Sequence, residues 1–283
     1  MQPLAGISVL TLGVNLPAPF AAARLGLLGA TVVKVEPPQG DPLARAQPDW
    51  YRALHHGQLI VTLDLAQADD RGRLEQLLAG TDLLLTAYRP AALARLGLAW
   101  DEMASRHPRL LLVSIVGFAG DEDRPGHDLT YQAHHGLLTP PHLPRALIGD
   151  LGGAQEAVSA ALALLLGRDR GTPERSTTVS LADAVRQFAA PFRYGLTAPG
   201  GVLGGGVPGY DLYRSSDGWI ALAALEPRFE QRLAAELGLS RPGRDQLQRA
   251  FLTRSSAEWE AWAAAHDLPL AAVAGAQETA TGR

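Results

Sequence analysis

Three short segments carry residue types suited to proton transfer or to holding a ligand. In Pro125-Gly-His-Asp-Leu-Thr-Tyr131, a small residue precedes His127, Asp128 follows it, and Tyr131 lies close by. This arrangement exposes and orients an imidazole, the side chain whose unperturbed pKa suits proton transfer near neutrality. An ordinary turn histidine is the other reading of the same residues. In Ile148-Gly-Asp-Leu-Gly-Gly153, glycines on both sides of Asp150 allow a ligand close to the backbone, and the helix start that follows favours an anion. The competing reading is a helix N-cap aspartate. Glu226, in Ala-Leu-Glu-Pro-Arg-Phe, is either a site carboxylate or a helix-start acid beside a first-turn proline.

The elements that must position these groups alternate. ISVLTL (7–12), TVVKV (31–35), DLLLTAY (82–88) and LLLVSI (110–115) read as strands. Between them FAAARLGLLG, DRGRLEQLLAG and LARLGL carry helical spacing. After GDLGG comes the helical AQEAVSAALALLLGRDRG, then a strand and helix in TTVSLADAVRQFAAPF. PGGVLGGGVPG (199–209) is too rich in Gly and Pro for a regular element. DLYRSSDGWIALAAL reads as a hairpin, followed by two helical segments. The expected fold is α/β: a Rossmann-like open parallel sheet with flanking helices plus a smaller α+β domain. The expected division is a large domain at 1–195, a Gly/Pro-rich linker at 196–209, and a small domain with a tail at 210–283.

A strand–helix–strand start invites a dinucleotide reading, which requires GxGxxG after the first strand. The chain has GVNLPAP there. Glu36 falls where a ribose-binding acid would sit, but the phosphate-cradling glycines are absent, and NAD binding fails. His55 and His56 are adjacent, so their side chains point differently and no metal pair is read.

Composition narrows the classes. The chain has 283 residues, 47% of them hydrophobic, a formal net charge of −4 and no Cys. A thiol nucleophile, a thiolate zinc site and a disulfide scaffold are excluded. No basic tract suits nucleic acid. Lys34 is the only lysine; Arg supplies the other 24 basic residues. The start MQPLAG lacks the pattern of a signal peptide, and the apolar run around 157–166 is too short to span a bilayer. A soluble, cytoplasmic protein is expected.

Together the three segments resemble the class III CoA-transferase family (CaiB/BaiF type), which includes α-methylacyl-CoA racemase and the formyl-CoA and carnitine-CoA transferases. The resemblance runs through PLAGISVLTLG, GATVVKVEPPQGDPL, TLDL, YRPAALARLGLAWDEM, PRLLLVSIVGFAG, RPGHDLTYQAHHGLL, GDLGG, GVPGYDLYRSSDGWIALAALEPRF and HDLPLAAV. It covers almost the whole chain, and the racemase branch is the closer match in motifs. It implies His127 and Asp150 as the two proton-transfer groups, with Glu226 orienting His127. In the transferases the same Asp150 would be the nucleophile that forms an acyl anhydride.

The racemase-like chemistry implied is proton removal and return on opposite faces of a thioester α-carbon. Backbone N–H groups near Gly152 and Gly153 would stabilise the enolate oxygen. No tightly bound cofactor and no metal is implied; coenzyme A is the substrate's handle or a cosubstrate. Lys34, Arg89 and Arg95 are the phosphate candidates, and Tyr131 is counted with Gly152 and Gly153 among the residues expected to bind coenzyme A. Relatives place an Asn-Arg-Gly-Lys-like segment before TLDL, where this chain has His55-His56-Gly57-Gln58. Relatives also continue past the LPLAAV-like segment and form interlocked, ring-like dimers, so a homodimer with an incomplete ring is expected, and QETATGR reads as a polar tail. The leading expectation is an acyl-CoA α-epimerase acting on a 2-methylacyl-CoA or similar thioester. The alternatives are CoA transfer between carboxylic acids through Asp150, and a weakly active or inactive CoA-binding paralogue.

Overall fold

The computed structural model describes residues 1–275. The QETATGR segment lies outside the described residues. The chain divides into two compact units, Met1–Ala189 and Ala190–Arg283.

The first unit is built on six strands: β1 (Ser8–Thr11), β2 (Thr31–Glu36), β3 (Leu59–Thr62), β4 (Leu83–Thr86), β5 (Leu111–Val116) and β6 (Ser176–Ser180). They form one sheet in the order β3-β2-β1-β4-β5-β6, and every neighbouring pair is parallel. The helices are α1 (Pro17–Leu27), α2 (Pro42–Ala46), α3 (Pro48–Leu54), α4 (Ala68–Ala79), α5 (Pro90–Arg95), α6 (Trp100–Arg106), α7 (Asp128–His134), α8 (Ile148–Asp169) and α9 (Leu181–Phe188). Proline opens α1, α2, α3 and α5, a position where its missing N–H costs no helical bond.

Both faces of the sheet are covered, which is why its central strands read as unbroken apolar runs. Successive residues point to opposite sides. Val9, Leu83, Leu85, Leu111 and Val113 pack with α1, α8 and α9, while Leu10, Leu84 and Leu112 pack with α4 and α6. Small residues let α1 and α8 approach closely: Ala18, Ala21 and Ala22 meet the face carrying Ala154, Ala157 and Ala161.

The second unit holds α10 (Ala190–Arg193), an irregular turn at Val202–Gly206 within the Gly/Pro-rich stretch, and an antiparallel sheet. That sheet comprises β7 (Tyr210–Arg214), β8 (Trp219–Ala223) and β9 (Leu270–Ala272), with β8 in the middle. Helices α11 (Pro227–Glu236), α12 (Arg244–Phe251) and α13 (Ser256–Ala265) accompany it. Tyr213, Phe251 and Trp259 form its aromatic core with Ile220 and Leu222. The α/β expectation with a smaller α+β unit is met. Among the described residues, no helix is long and apolar enough to cross a membrane.

The structure departs from the sequence reading at GDLGG. These residues are not a loop before a helix; they are the first turns of α8, which runs for 22 residues. Their glycines serve packing. A Cβ at Gly152 would collide with the Phe188 ring, and one at Gly153 with Leu181.

Candidate active site

β1 and β4 lie side by side, yet the chain leaves them in opposite directions across the sheet. A crevice opens at such a switch point, beyond the carboxyl ends of the strands. Here it is a cavity of about 630 Å³ walled by the loops after β1, β2, β4 and β5 and by the starts of α7 and α8, a size suited to a small ligand. The α1 terminus beside it cannot cradle a diphosphate through its amides, because Pro17 and Pro19 remove two of the first three N–H groups.

His127, Tyr131, Asp150 and Arg89 all line this cavity. Asp150 is the third residue of α8, so it is not the N-cap, and its side chain is only partly exposed. Among the described residues no cation pairs with it. Burial, and secondarily the neighbouring Asp128, push its carboxyl up to about 6. The helix dipole favours the carboxylate, but desolvation prevails.

Asp128 joins the two segments that the sequence displays separately. It is buried, and its Oδ1 accepts the N–H groups of Gly149 (2.6 Å) and Asp150 (3.0 Å). Its Oδ2 accepts from Gln132 Nε2 at 2.5 Å. A Cβ at Gly149 would stand 3.0 Å from that Oδ1, so glycine permits the approach. Asp128 therefore caps α8 and binds Gln132, not the imidazole it follows in sequence. His127 is exposed at the N-cap of α7, its N–H held by Thr130 Oγ1 at 3.0 Å. Tyr131 is buried, with its ring set edge-on to Phe118. Glycines at 117 and 126 leave room for it, and burial raises its hydroxyl pKa.

The remaining sequence candidates separate. Gly152 and Gly153 are corrected as enolate-stabilising donors. Both lie beyond the first four helical residues, where N–H groups are already bonded within the helix. Asp128 occupies two of the amides that precede them. Lys34 is corrected as a phosphate cation: its side chain is fully buried and held by Glu36, Asp41 and His55. Glu36 belongs to that cluster and accepts from the Tyr51 hydroxyl. Arg95 is exposed on α5 and does not line the cavity. Glu226 belongs to the second unit, exposed at the N-cap of α11 with no side-chain capping bond. Among the cavity residues that escaped the sequence reading are Asn15, which adopts a positive φ of 64° after β1, and Arg124, stacked over the Phe118 ring at 4.0 Å. Arg124 stands three residues before His127, which was the available signal.

Comparison with known proteins settles the family. The family model described as CoA-transferase family III matches residues 4–283. The chain belongs to CoA-transferase family III.

Within family III, the chain is 27% identical over 263 residues to succinyl-CoA–D-citramalate CoA-transferase of Chloroflexus aurantiacus, covering 84% of this chain and 65% of that protein. It is 30% identical over 256 residues to alpha-methylacyl-CoA racemase of Homo sapiens, covering 83% of this chain and 65% of that protein. It thus spans about two thirds of the length of these family III relatives. Their similar identities do not set the racemase branch apart from the transferases. The crystal structure of a hypothetical protein from Mycobacterium tuberculosis shares the family III fold, with a TM-score of 0.87 at 24% identity over 100% of this chain and 86% of that one. Among the described residues, no three His, Asp or Glu side chains group as metal ligands.

Proposed function

We propose that the protein is an enzyme acting on acyl-CoA thioesters, and that it transfers CoA between carboxylic acids through an acyl anhydride at Asp150. The observation that carries this reading is the state of Asp150: a cavity-lining carboxylate, unpaired with a cation among the described residues and made more basic by burial. A desolvated carboxylate is a stronger nucleophile than a solvated one. Its attack on the thioester carbonyl breaks the C–S bond, releases the CoA thiolate and leaves the acyl group on Asp150 as a mixed anhydride. The CoA thiolate then attacks the Asp150 carbonyl and expels the donor acid, leaving CoA on Asp150 as a thioester. The acceptor carboxylate displaces the thiolate to form its own anhydride with Asp150, and attack of the thiolate on the acceptor acyl carbonyl gives the new acyl-CoA and the free Asp150 carboxylate. Arg89 lines the cavity and pairs with no carboxylate among the described residues, which suits a CoA phosphate. Related family III proteins named as succinyl-CoA and formyl-CoA transferases support the transfer reading.

Epimerisation at the α-carbon is the second reading, favoured by the presence of His127 and Asp150 in one cavity. One experiment separates the two. The protein is incubated with a 2-methylacyl-CoA in deuterated buffer, with and without an acceptor acid, and hydroxylamine is added during turnover. Transfer predicts a hydroxamate at Asp150 and no α-deuterium when the acceptor is absent. Deuterium entry without acceptor and without hydroxamate would overturn it in favour of epimerisation.

A further inference from the structure

Lys34 is the only lysine in the chain, and none of its side chain reaches solvent. An ammonium offers three N–H donors and no acceptor, and a buried one must have each donor met. Here the acceptors are Asp41 Oδ2 at 2.5 Å, Glu36 Oε1 at 2.9 Å and His55 Nε2 at 2.8 Å. Lys34 can only donate, so His55 Nε2 must accept. Its Nδ1 then carries the proton and donates to the Tyr51 carbonyl at 2.8 Å. His55 is thereby neutral and fixed in one tautomer.

The cluster reaches the cavity through the second oxygen of Asp41. Asp41 Oδ1 accepts the N–H of Asn15 at 3.0 Å and that of Leu43 at 2.8 Å. Asn15 and Leu43 both line the cavity, Asn15 from the loop after β1 and Leu43 from the first turn of α2. Asn15 sits in the left-handed region, which Asn adopts more readily than most residues other than glycine, and its N–H is fixed there by Asp41. One buried ammonium thus ties the loop after β1 to the start of α2, two parts of the cavity wall.

We propose that Lys34, Asp41 and His55 are positioning residues for the substrate cavity, and that the wall keeps its shape only while His55 is the neutral acceptor of the Lys34 ammonium. The link to substrate rests on the acyl-CoA reading of the cavity; the link to Asn15 does not. Protonation of His55 would set an N–H against the N–H of Lys34 and release Asp41 from its fixed position. Burial and the Lys34 charge hold the His55 pKa below its usual value, while the Tyr51 carbonyl and the carboxylates of Asp41 and Glu36 act in the opposite direction. In ordinary buffers the acceptor form therefore dominates, and acid disrupts it.

The test uses the whole chain and two readouts, hydrogen exchange at the Asn15 amide and steady-state kinetics with acyl-CoA, from pH 5 to 8. His55→Leu removes the acceptor. His55→Gln supplies a carbonyl acceptor at a similar reach that does not titrate. The expected result is faster exchange at Asn15 in His55→Leu, with KM raised about tenfold and kcat changed far less. His55→Gln restores both, and abolishes the acid-induced loss of Asn15 protection that the unmodified chain shows. If His55→Leu does not fold, the acid comparison of the unmodified chain with His55→Gln decides. Unchanged Asn15 protection in folded His55→Leu, or identical acid profiles in the unmodified chain and His55→Gln, overturns the proposal. Altered Asn15 exchange in a protein that binds no CoA would keep the positioning role and refute the acyl-CoA reading instead.

Discussion

Asp128→Asn isolates the electrostatic part of the Asp150 environment. The substitution removes a charge and keeps an Oδ1 able to accept the Gly149 and Asp150 N–H groups, while its Nδ2 replaces the acceptor of Gln132 Nε2, so the Gln132 amide must turn its oxygen inward. The Asp150 pKa rises from 3.8 to about 6, with burial the larger cause and Asp128 the smaller. The share of Asp128 is therefore less than half of the rise, about one pH unit at most, or about 1.4 kcal/mol. If the ionised carboxylate is the nucleophile, activity falls as pH drops through about 6 in the unmodified protein. The acid limb should move down by up to about one unit in Asp128→Asn. At pH 5 this raises ionisation from about one tenth to about one half, so the rate relative to its pH 8 plateau increases up to about fivefold. The assay is CoA transfer measured from pH 4.5 to 8.5, each variant normalised to its own plateau. An unmoved or rising midpoint in a folded variant would refute both the coupling and the role of the carboxylate.

Further outcomes follow from the same geometry. Asp150 holds its proton more tightly folded than unfolded, so stability is lost as pH rises from about 4 through 6 and stays lower above that, by about 3 kcal/mol at most. Asp150→Asn should therefore raise Tm at pH 7.5 and leave it nearly unchanged at pH 4; equal gains at both would rule out desolvation as the source. Gly126→Ala drives a methyl into the buried Tyr131 ring and should cost about 1–3 kcal/mol, read as a lower urea midpoint. Arg89→Ala should weaken CoA binding about tenfold by calorimetry, with a shallower salt dependence.

The parts of the fold legible in sequence were those where one physical term dominates. β4 and β5 are buried on both faces, so LLLT and LLVSIV announce themselves. β3 is a four-residue edge strand, LIVT, as apolar as LLLT yet largely exposed, so there pattern and burial part company. The α8 start was misread because glycine normally weakens helices; close packing against Phe188 and Leu181 requires it here. In the site, His127 and Asp150 were legible from their flanking glycines. The inward turn of Asp128 was not, because its partners lie about twenty residues away. Lys34 misled for a similar reason: a lysine beside a proline-rich loop suggests a surface cation, and only the fold brings His55, Glu36 and Asp41 around it.

The seclusion of that lysine also governs how the protein meets electrophiles. No other side chain carries an amine, and this one is protonated, fully enclosed and triply bonded. Thioesters and activated esters that acylate surface lysines find no such target on the folded chain. Modification at Lys34 requires the region around β2 to open, so the rate at which an amine-directed reagent marks this position is a direct clock for that opening, read by mass at a single residue.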